Sequence, residues 1–282
     1  MEFWKMQGCG NDFILLDGRF DNKDNDSYGD DALKYCARKF SIGADGFIVV
    51  KDSDIADICM VYYNADGSRA AMCGNGIRCF SKFVVEKNII SKAVFTVETL
   101  NGIKEISLDL NEENQVSNIC VNMGNGNFEP ELIPVHNINK NKTRFMDETI
   151  VVNGEDIRVS SMLMGVPHTI VFVEDDLVEE DVKKLGQEIE NHPIFPEKTN
   201  VNFVKVVDKN NISVQTWERG CGYTFGCGTG MTAAAVISNY FGYSSSSVNV
   251  SSPGGSVTIK IKVDGNYMIG SAEKIYTGYL NN

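Results

Sequence analysis

Two short segments carry the residues best suited to chemistry, Met72-Cys73-Gly74-Asn75-Gly76-Ile77-Arg78 and Gly226-Cys227-Gly228-Thr229-Gly230-Met231-Thr232. Each is a Cys-Gly-polar-Gly turn that runs into a segment of helical pattern. A cysteine just ahead of a helix sits where backbone N–H groups point outward and the helix dipole is positive, which favours its thiolate. The glycines let the backbone approach an anion closely. One such turn could be an anion site, a reactive thiol or an ordinary turn. Two of them suggest two similar lobes facing one substrate, each supplying an acid or base of the same chemical type. Stereochemical inversion at a carbon requires that pair.

Taking the α-proton from an amino acid leaves charge on carbon and on the adjacent carboxylate. Many enzymes spread it into pyridoxal phosphate. Without that cofactor, preorganised donors must hold the charge directly. Backbone N–H groups of Gly74 and Asn75 at one helix start, and of Gly228 and Thr229 at the other, could do so. A thiolate on one face then takes the proton while a thiol on the other gives one back.

The elements that must position these turns are mostly strands. Short apolar runs ended by Gly, Asn, Asp or Pro predict strands at 47–50, 58–63, 94–98, 150–152, 169–173, 201–206 and 213–217. The alternating run 256–263 follows Pro253-Gly254-Gly255 and predicts a hairpin. Helices are few. One is expected at Asp30–Lys39, and Ile77, Phe80, Val84 and Val85 form an apolar stripe after the first Cys-Gly turn. Met231, Ala234, Ala235 and Ser238 do the same after the second, and Asp181–Glu190 makes a further polar helix. The order strands, Cys-Gly turn, helix, strands thus occurs twice. Loop-like composition at 122–127 marks a boundary between the halves.

The bulk properties exclude several classes. A chain of 282 residues with 43% hydrophobic and 23% charged residues is ordinary for a globular protein. A net charge of −12 argues against a nucleic-acid partner. No stretch has the apolar length to span a bilayer, and the N-terminus lacks the apolar core of a signal peptide. Reduced thiols in the cytoplasm are the expected state of the eight cysteines. With no Cys-x-x-Cys pair and three histidines, no metal site is expected. Cys9, Cys36, Cys59, Cys79 and Cys120 are expected as small core residues, and Cys221 as an incidental loop thiol.

The motifs together resemble the diaminopimelate epimerase family of two-cysteine, cofactor-independent racemases. The resemblance runs through Gly8-Cys9-Gly10-Asn11-Asp12-Phe13, Gly43-Ala44-Asp45-Gly46, and Tyr63-Asn64-Ala65-Asp66-Gly67-Ser68 to the first cysteine turn. It continues through Pro167-His168, the run 192–201 and Trp217-Glu218-Arg219-Gly220 to the second. It implies an α+β fold of two pseudo-symmetric lobes, each a mixed, largely antiparallel sheet around a central helix, with the active site in the cleft between them. Residues 1–122 with about 272–282 would form the lobe carrying Cys73, and 123–271 the lobe carrying Cys227.

By the same resemblance, Cys73 and Cys227 are the acid/base pair. Asn11, Asn64, Asn200 and Arg219 hold the substrate's amino and carboxylate groups, and Glu218 and His168 line the reaction centre. The implied activity interconverts LL- and meso-2,6-diaminopimelate in lysine and peptidoglycan biosynthesis, with no cofactor, a small amino-acid substrate as the partner and a homodimer as the assembly. Three positions depart from the family pattern. Val166 stands where an asparagine usually contacts the distal end of the substrate, Tyr223 occupies a variable or acidic position, and Gly226 replaces alanine. A racemase acting on histidine or lanthionine is the alternative within this chemistry, and a thiol redox protein is the alternative outside it.

Overall fold

The computed structural model describes residues 1–112, 115–136 and 142–280. The chain divides into two compact units, Met1–Asn122 with Ile269–Asn282, and Met123–Met268. Both are mixed α+β.

The first unit begins with β1 (Glu2–Gly8) and β2 (Asn11–Asp17), followed by α1 (Gly29–Cys36), β3 (Gly46–Lys51), β4 (Ile58–Asn64), α2 (Gly74–Glu86), β5 (Val94–Thr99), β6 (Gly102–Leu110) and β7 (Val116–Gly124). Strands joined by turns pair antiparallel, as in β1–β2, β3–β4 and β5–β6. Those joined through a helix pair parallel, as in β2–β3 and β4–β5, because a parallel partner needs a long crossover. Every residue of β3 is buried, as expected of a strand covered on both faces. Successive side chains point to opposite faces, so Phe47 and Val49 join Tyr28, Ala32 and Cys36 of the α1 side. Ile48 meets the first turn of α2, where a Cβ at Gly76 would lie 3.1 Å from its methyl group.

The second unit repeats this plan. It holds β8 (Glu148–Val152), β9 (Glu155–Met164), β10 (Val166–Val173), α3 (Glu179–Glu190), β11 (Asn200–Asp208), β12 (Asn211–Glu218), β13 (Gly222–Thr224), α4 (Gly228–Tyr240), β14 (Ser247–Ser252), β15 (Gly255–Lys262) and β16 (Gly265–Gly270). From β9 onward the pairings alternate as before: β9–β10 antiparallel, β10–β11 parallel, β11–β12 antiparallel, β12–β14 parallel and β14–β15 antiparallel. On β11, Val201 and Phe203 face a core shared with Val182 and Ile189 of α3. Alternation puts Asn200 and Asn202 on the other face, toward α4. The last strand, β17 (Glu273–Tyr279), returns to the first unit and pairs antiparallel with β1.

The helix expected at 30–39 stops at Cys36. Ala37 has ψ 103°, and the last carbonyls are satisfied by the N–H groups of Gly43 and Ala44 rather than by a further turn. The segment 122–127 is not wholly a loop, because β7 continues to Gly124. Strand β15 ends at Lys262, leaving Val263 fully exposed in a turn.

The two cores carry most of the stability. Phe47→Ala and Phe203→Ala, both fully buried or nearly so, should each cost about 3–5 kcal/mol by urea unfolding. Val263→Ala should be close to neutral by the same measurement.

Candidate active-site clusters around two helix-capping cysteines

Cys73 is the N-cap of α2. Its backbone is extended, with φ −136° and ψ 123°, and its Sγ accepts the N–H of Gly76 at 3.4 Å. This is the capping role usually filled by Ser, Thr, Asp or Asn, here given to a thiol. Strand β4 ends at Asn64, and a tight turn leads on toward the helix, with Gly67 N–H bonded to Asn64 O at 3.0 Å. Asn64 Nδ2 donates within that turn to Ser68 Oγ at 3.0 Å.

Asn75, in the first turn of α2, donates to Asn11 Oδ1 at 2.7 Å. Asn11 opens β2 after a two-residue hairpin turn in which Cys9 (φ 46°) and Gly10 (φ 81°) are both left-handed, the backbone a tight β-hairpin needs. Asn11 Nδ2 in turn donates to Asp45 Oδ2 at 3.2 Å, and Asp45 Oδ1 accepts Arg38 Nη2 at 2.8 Å. At the other end of this row lies Arg78, fully buried on α2. Its Nη2 donates to Asn75 Oδ1 at 2.9 Å and to Cys9 Sγ at 3.1 Å, and its Nη1 to Gly74 O at 3.1 Å. Cys9 is therefore a half-buried turn residue and not a core residue, since its sulfur accepts from a guanidinium. Cys120 is also only half-buried, whereas Cys36, Cys59 and Cys79 are buried and Cys221 is exposed.

Cys227 is the N-cap of α4, again extended, with φ −112° and ψ 113°. It is buried, and its Sγ lies 3.3 Å from Thr229 Oγ1. Burial pushes its thiol well above the ordinary range, and the charge of hydrogen-bonded Glu218 adds to this, while Thr229 and the Gly230 N–H pull the other way. Glu218 closes β12 and accepts the Thr224 hydroxyl at 2.6 Å. Asn64 and Glu218 thus hold the same place in the two units. Each is the last residue of a strand, β4 or β12, that pairs antiparallel with the strand before it and parallel with a strand beyond the cysteine helix.

Asn200 opens β11 and is buried. Its Oδ1 accepts the Arg219 backbone N–H at 2.8 Å, and its Nδ2 donates to Pro167 O at 3.0 Å. The Arg219 guanidinium donates one N–H to Glu197 O at 2.8 Å. His168 is opposite Asn200 in the β10–β11 ladder and is fully buried. Its Nδ1 lies 3.2 Å from Asn202 Nδ2, and its Nε2 has no hydrogen-bond partner among the described residues. Burial, and secondarily the Arg219 charge, push the imidazole down to about 3, so it is neutral at ordinary pH. A buried donor without an acceptor costs about 1–3 kcal/mol. Val166 starts β10 just after the left-handed Gly165, 37% exposed.

The residues expected from the sequence therefore fall in two groups, one in each unit. In the first, Asn75 and Asn11 are joined directly, while Asn64 is bonded within its own turn. In the second, Cys227, Thr229 and Glu218 are in contact, and Asn200 is tied to Arg219 through backbone. Sequence reasoning missed Arg78, Asp45, Asn202 and Thr224. Arg78 and Asn202 had a readable signal, being polar residues placed in apolar patterns.

The fold has solved counterparts. One is a hydroxyproline epimerase from Agrobacterium vitis with TM-score 0.70 at 16% identity, covering 99% of this chain and 91% of that one. Another is a PhzF-family phenazine biosynthesis protein from Bacillus anthracis with TM-score 0.71 at 17% identity, covering 100% and 99%. At such identities the likeness is one of architecture alone. Closer kinship comes from sequence. The diaminopimelate epimerase family model matches residues 3–129 and 160–275. A diaminopimelate epimerase from Alkaliphilus metalliredigens is 46% identical, covering 100% of this chain and 98% of its own length. One from Caldanaerobacter subterraneus is 47% identical, covering 99% and 98%. This chain belongs to the diaminopimelate epimerase family.

The Glu218 carboxylate raises the Cys227 thiol, so Glu218→Gln should lower it. A like charge in contact is worth about tenfold in thiolate fraction. Alkylation of Cys227 by iodoacetamide at pH 8, followed by peptide mass spectrometry, should therefore quicken about tenfold. An unchanged rate would mean that the carboxylate does not act on the thiol.

Proposed function

We propose that this chain interconverts LL- and meso-2,6-diaminopimelate, with Cys73 and Cys227 as the two acid/base groups. The observation that carries the reading is the pair of helix-capping cysteines at equivalent places in the two units of a diaminopimelate epimerase family member. The residues about the Cys227 thiol support its role as the resting proton donor, with Cys73 as the thiolate. In that state the Cys73 sulfur takes the α-proton, and the electron pair spreads into the substrate carboxylate. Cys227 then delivers its proton to the opposite face of the same carbon. Two protons have moved, the configuration is inverted, and the enzyme is left with the opposite protonation of its cysteines, ready for the reverse direction.

The developing carboxylate charge falls to backbone N–H groups of the two helix starts, at Gly74 and Asn75 and at Gly228 and Thr229, where the dipoles are positive. Asn11, Asn64, Asn200 and Arg219 would hold the amino and carboxylate groups, and Glu218 would keep Cys227 protonated. A guanidinium has five donors, so the Glu197 contact of Arg219 leaves capacity for a carboxylate. Val166 offers no side-chain hydrogen bond, and relaxed discrimination at the distal end, with some turnover of lanthionine, follows from it. A homodimer is part of the proposal, supported by the exposed apolar side chains of Ile275, Tyr276 and Tyr279 on β17. So is a cytoplasmic setting, supported by eight cysteines that form no disulfide with one another. Among the described residues no helix is long and apolar enough to cross a membrane.

Cys73→Ala and Cys227→Ala should each lower epimerisation by at least about a hundredfold, the usual worth of a positioned acid or base, with unchanged far-UV circular dichroism. Full activity in either variant would sink the two-cysteine mechanism.

Substrate identity is tested by α-proton exchange in deuterated water with diaminopimelate, lanthionine, histidine and lysine under identical conditions. Diaminopimelate should exchange fastest, with lanthionine next. Faster exchange of histidine would overturn the substrate while leaving the racemase chemistry.

A further inference from the structure

One fully buried side chain of the second unit is unused by the mechanism and touches several of its parts. Asn202 lies on the α4-facing side of β11, and its surface exposure is 0%. Its Nδ2 is 3.2 Å from His168 Nδ1 and 3.4 Å from the Thr169 carbonyl oxygen, while its Oδ1 accepts the Thr216 hydroxyl at 3.1 Å. A carbonyl can only accept, so the amide nitrogen must be the atom that faces Thr169. The same nitrogen then faces His168, and Nδ1 must be the acceptor there. The imidazole proton is left on Nε2, the buried atom with no partner among the described residues.

Asn202 also lies under the first turn of α4. A Cβ at Gly230 would sit 2.3 Å from Asn202 Oδ1 and 3.3 Å from Cys227 Cβ. Only glycine lets the backbone come that close, and this residue lies in the first turn of the helix that Cys227 caps.

We propose that Asn202 is a positioning residue for the reaction: it fixes His168 as the Nε2–H tautomer and seats the turn that carries Cys227. The inference rests on the preceding reading only in placing His168 and Cys227 at the reaction centre. With its proton fixed on Nε2, His168 acts as a neutral donor and not as a base. Its buried N–H is matched to a substrate oxygen, an acceptor that the described residues do not supply. Burial, which keeps the ring uncharged, acts in the same direction. Asn202 touches no substrate in this scheme and works through its two neighbours.

The chain contains three histidines, so a long-range proton–nitrogen correlation spectrum of uniformly nitrogen-15-labelled protein resolves each ring. The His168 signals are assigned by their loss in His168→Gln. In the unmodified protein His168 should show a protonated-type Nε2 and an unprotonated-type Nδ1. Asn202→Asp, nearly isosteric, replaces the donor with an acceptor and should move the proton to Nδ1. In that variant kcat for diaminopimelate should fall by about tenfold or more, the scale typical of losing a group that orients a functional histidine, with a smaller change in KM. Asn202→Ala, which removes the donor without supplying an acceptor, should give mixed tautomers and an intermediate kcat.

An Nδ1–H tautomer in the unmodified protein would overturn the proposal, and that spectrum requires no variant to fold. An inverted tautomer with unchanged kcat would overturn the positioning role. Failure of the unmodified protein to epimerise any amino acid would instead strike the functional reading, and the spectrum would still decide the tautomer.

Discussion

Both clusters depend on the start of a buried helix. A helix leaves its first N–H groups without intrahelical partners, and in α2 and α4 most of the residues that carry them are buried. In α2 and α4 the N-cap is a cysteine: the Cys73 sulfur takes one of those N–H groups, while the Cys227 sulfur lies against the Thr229 hydroxyl. Such a turn demands residues with no bulk. A Cβ at Gly76 would crowd Ile48 and the Cys73 Cβ, and one at Gly230 would run into Asn202. The Cys-Gly-polar-Gly spelling of both turns follows from this crowding as much as from chemistry.

The halves share their plan and differ in their charges. Antiparallel and parallel pairings alternate in the same order in each, and the equivalent strands β4 and β12 each close on a polar residue. In the first unit that residue is Asn64, which is neutral. In the second it is Glu218, whose carboxylate reaches the sulfur. A repeated fold thus ends one of two equivalent strands on a neutral amide and the other on a carboxylate that raises the Cys227 thiol. The proposed reaction, which starts from one thiolate and one thiol, calls for a protonated Cys227.

Much of this was legible in the sequence because it rests on local rules. The runs at Phe47–Val50 and Ile58–Tyr63 are continuous and β-branched because both faces of those strands are covered. The helices after the cysteines announce themselves by a capping residue followed by an apolar stripe. What could not be read depends on contacts distant in the chain. Helix α1 ends early because Gly43 and Ala44 fold back onto its carbonyls. Cys9 looks like a small core residue until the hairpin places it against Arg78, far along the chain. Asn202 stands out as a polar residue in an apolar run, but its neighbours are set by the register with His168 on β10 and by the approach of α4 at Gly230. The pairing of His168 with Asn200 across β10 and β11 is likewise invisible before the register is known.

The row Arg78, Asn75, Asn11, Asp45 has a property that its members lack singly. A guanidinium offers only donors and a carboxylate only acceptors, so the two carboxamides strung between them cannot turn over without setting donor against donor at one end and acceptor against acceptor at the other. The row has a direction, like a diode. Ordinarily an asparagine on a binding surface can rotate its amide to suit whatever arrives, and selectivity suffers accordingly. Here the orientation of Asn11 is imposed from a buried cation at one end and an acidic residue at the other. In the proposed site the first unit would therefore meet an incoming molecule with a polarity that the molecule must match, because the protein cannot adjust its own.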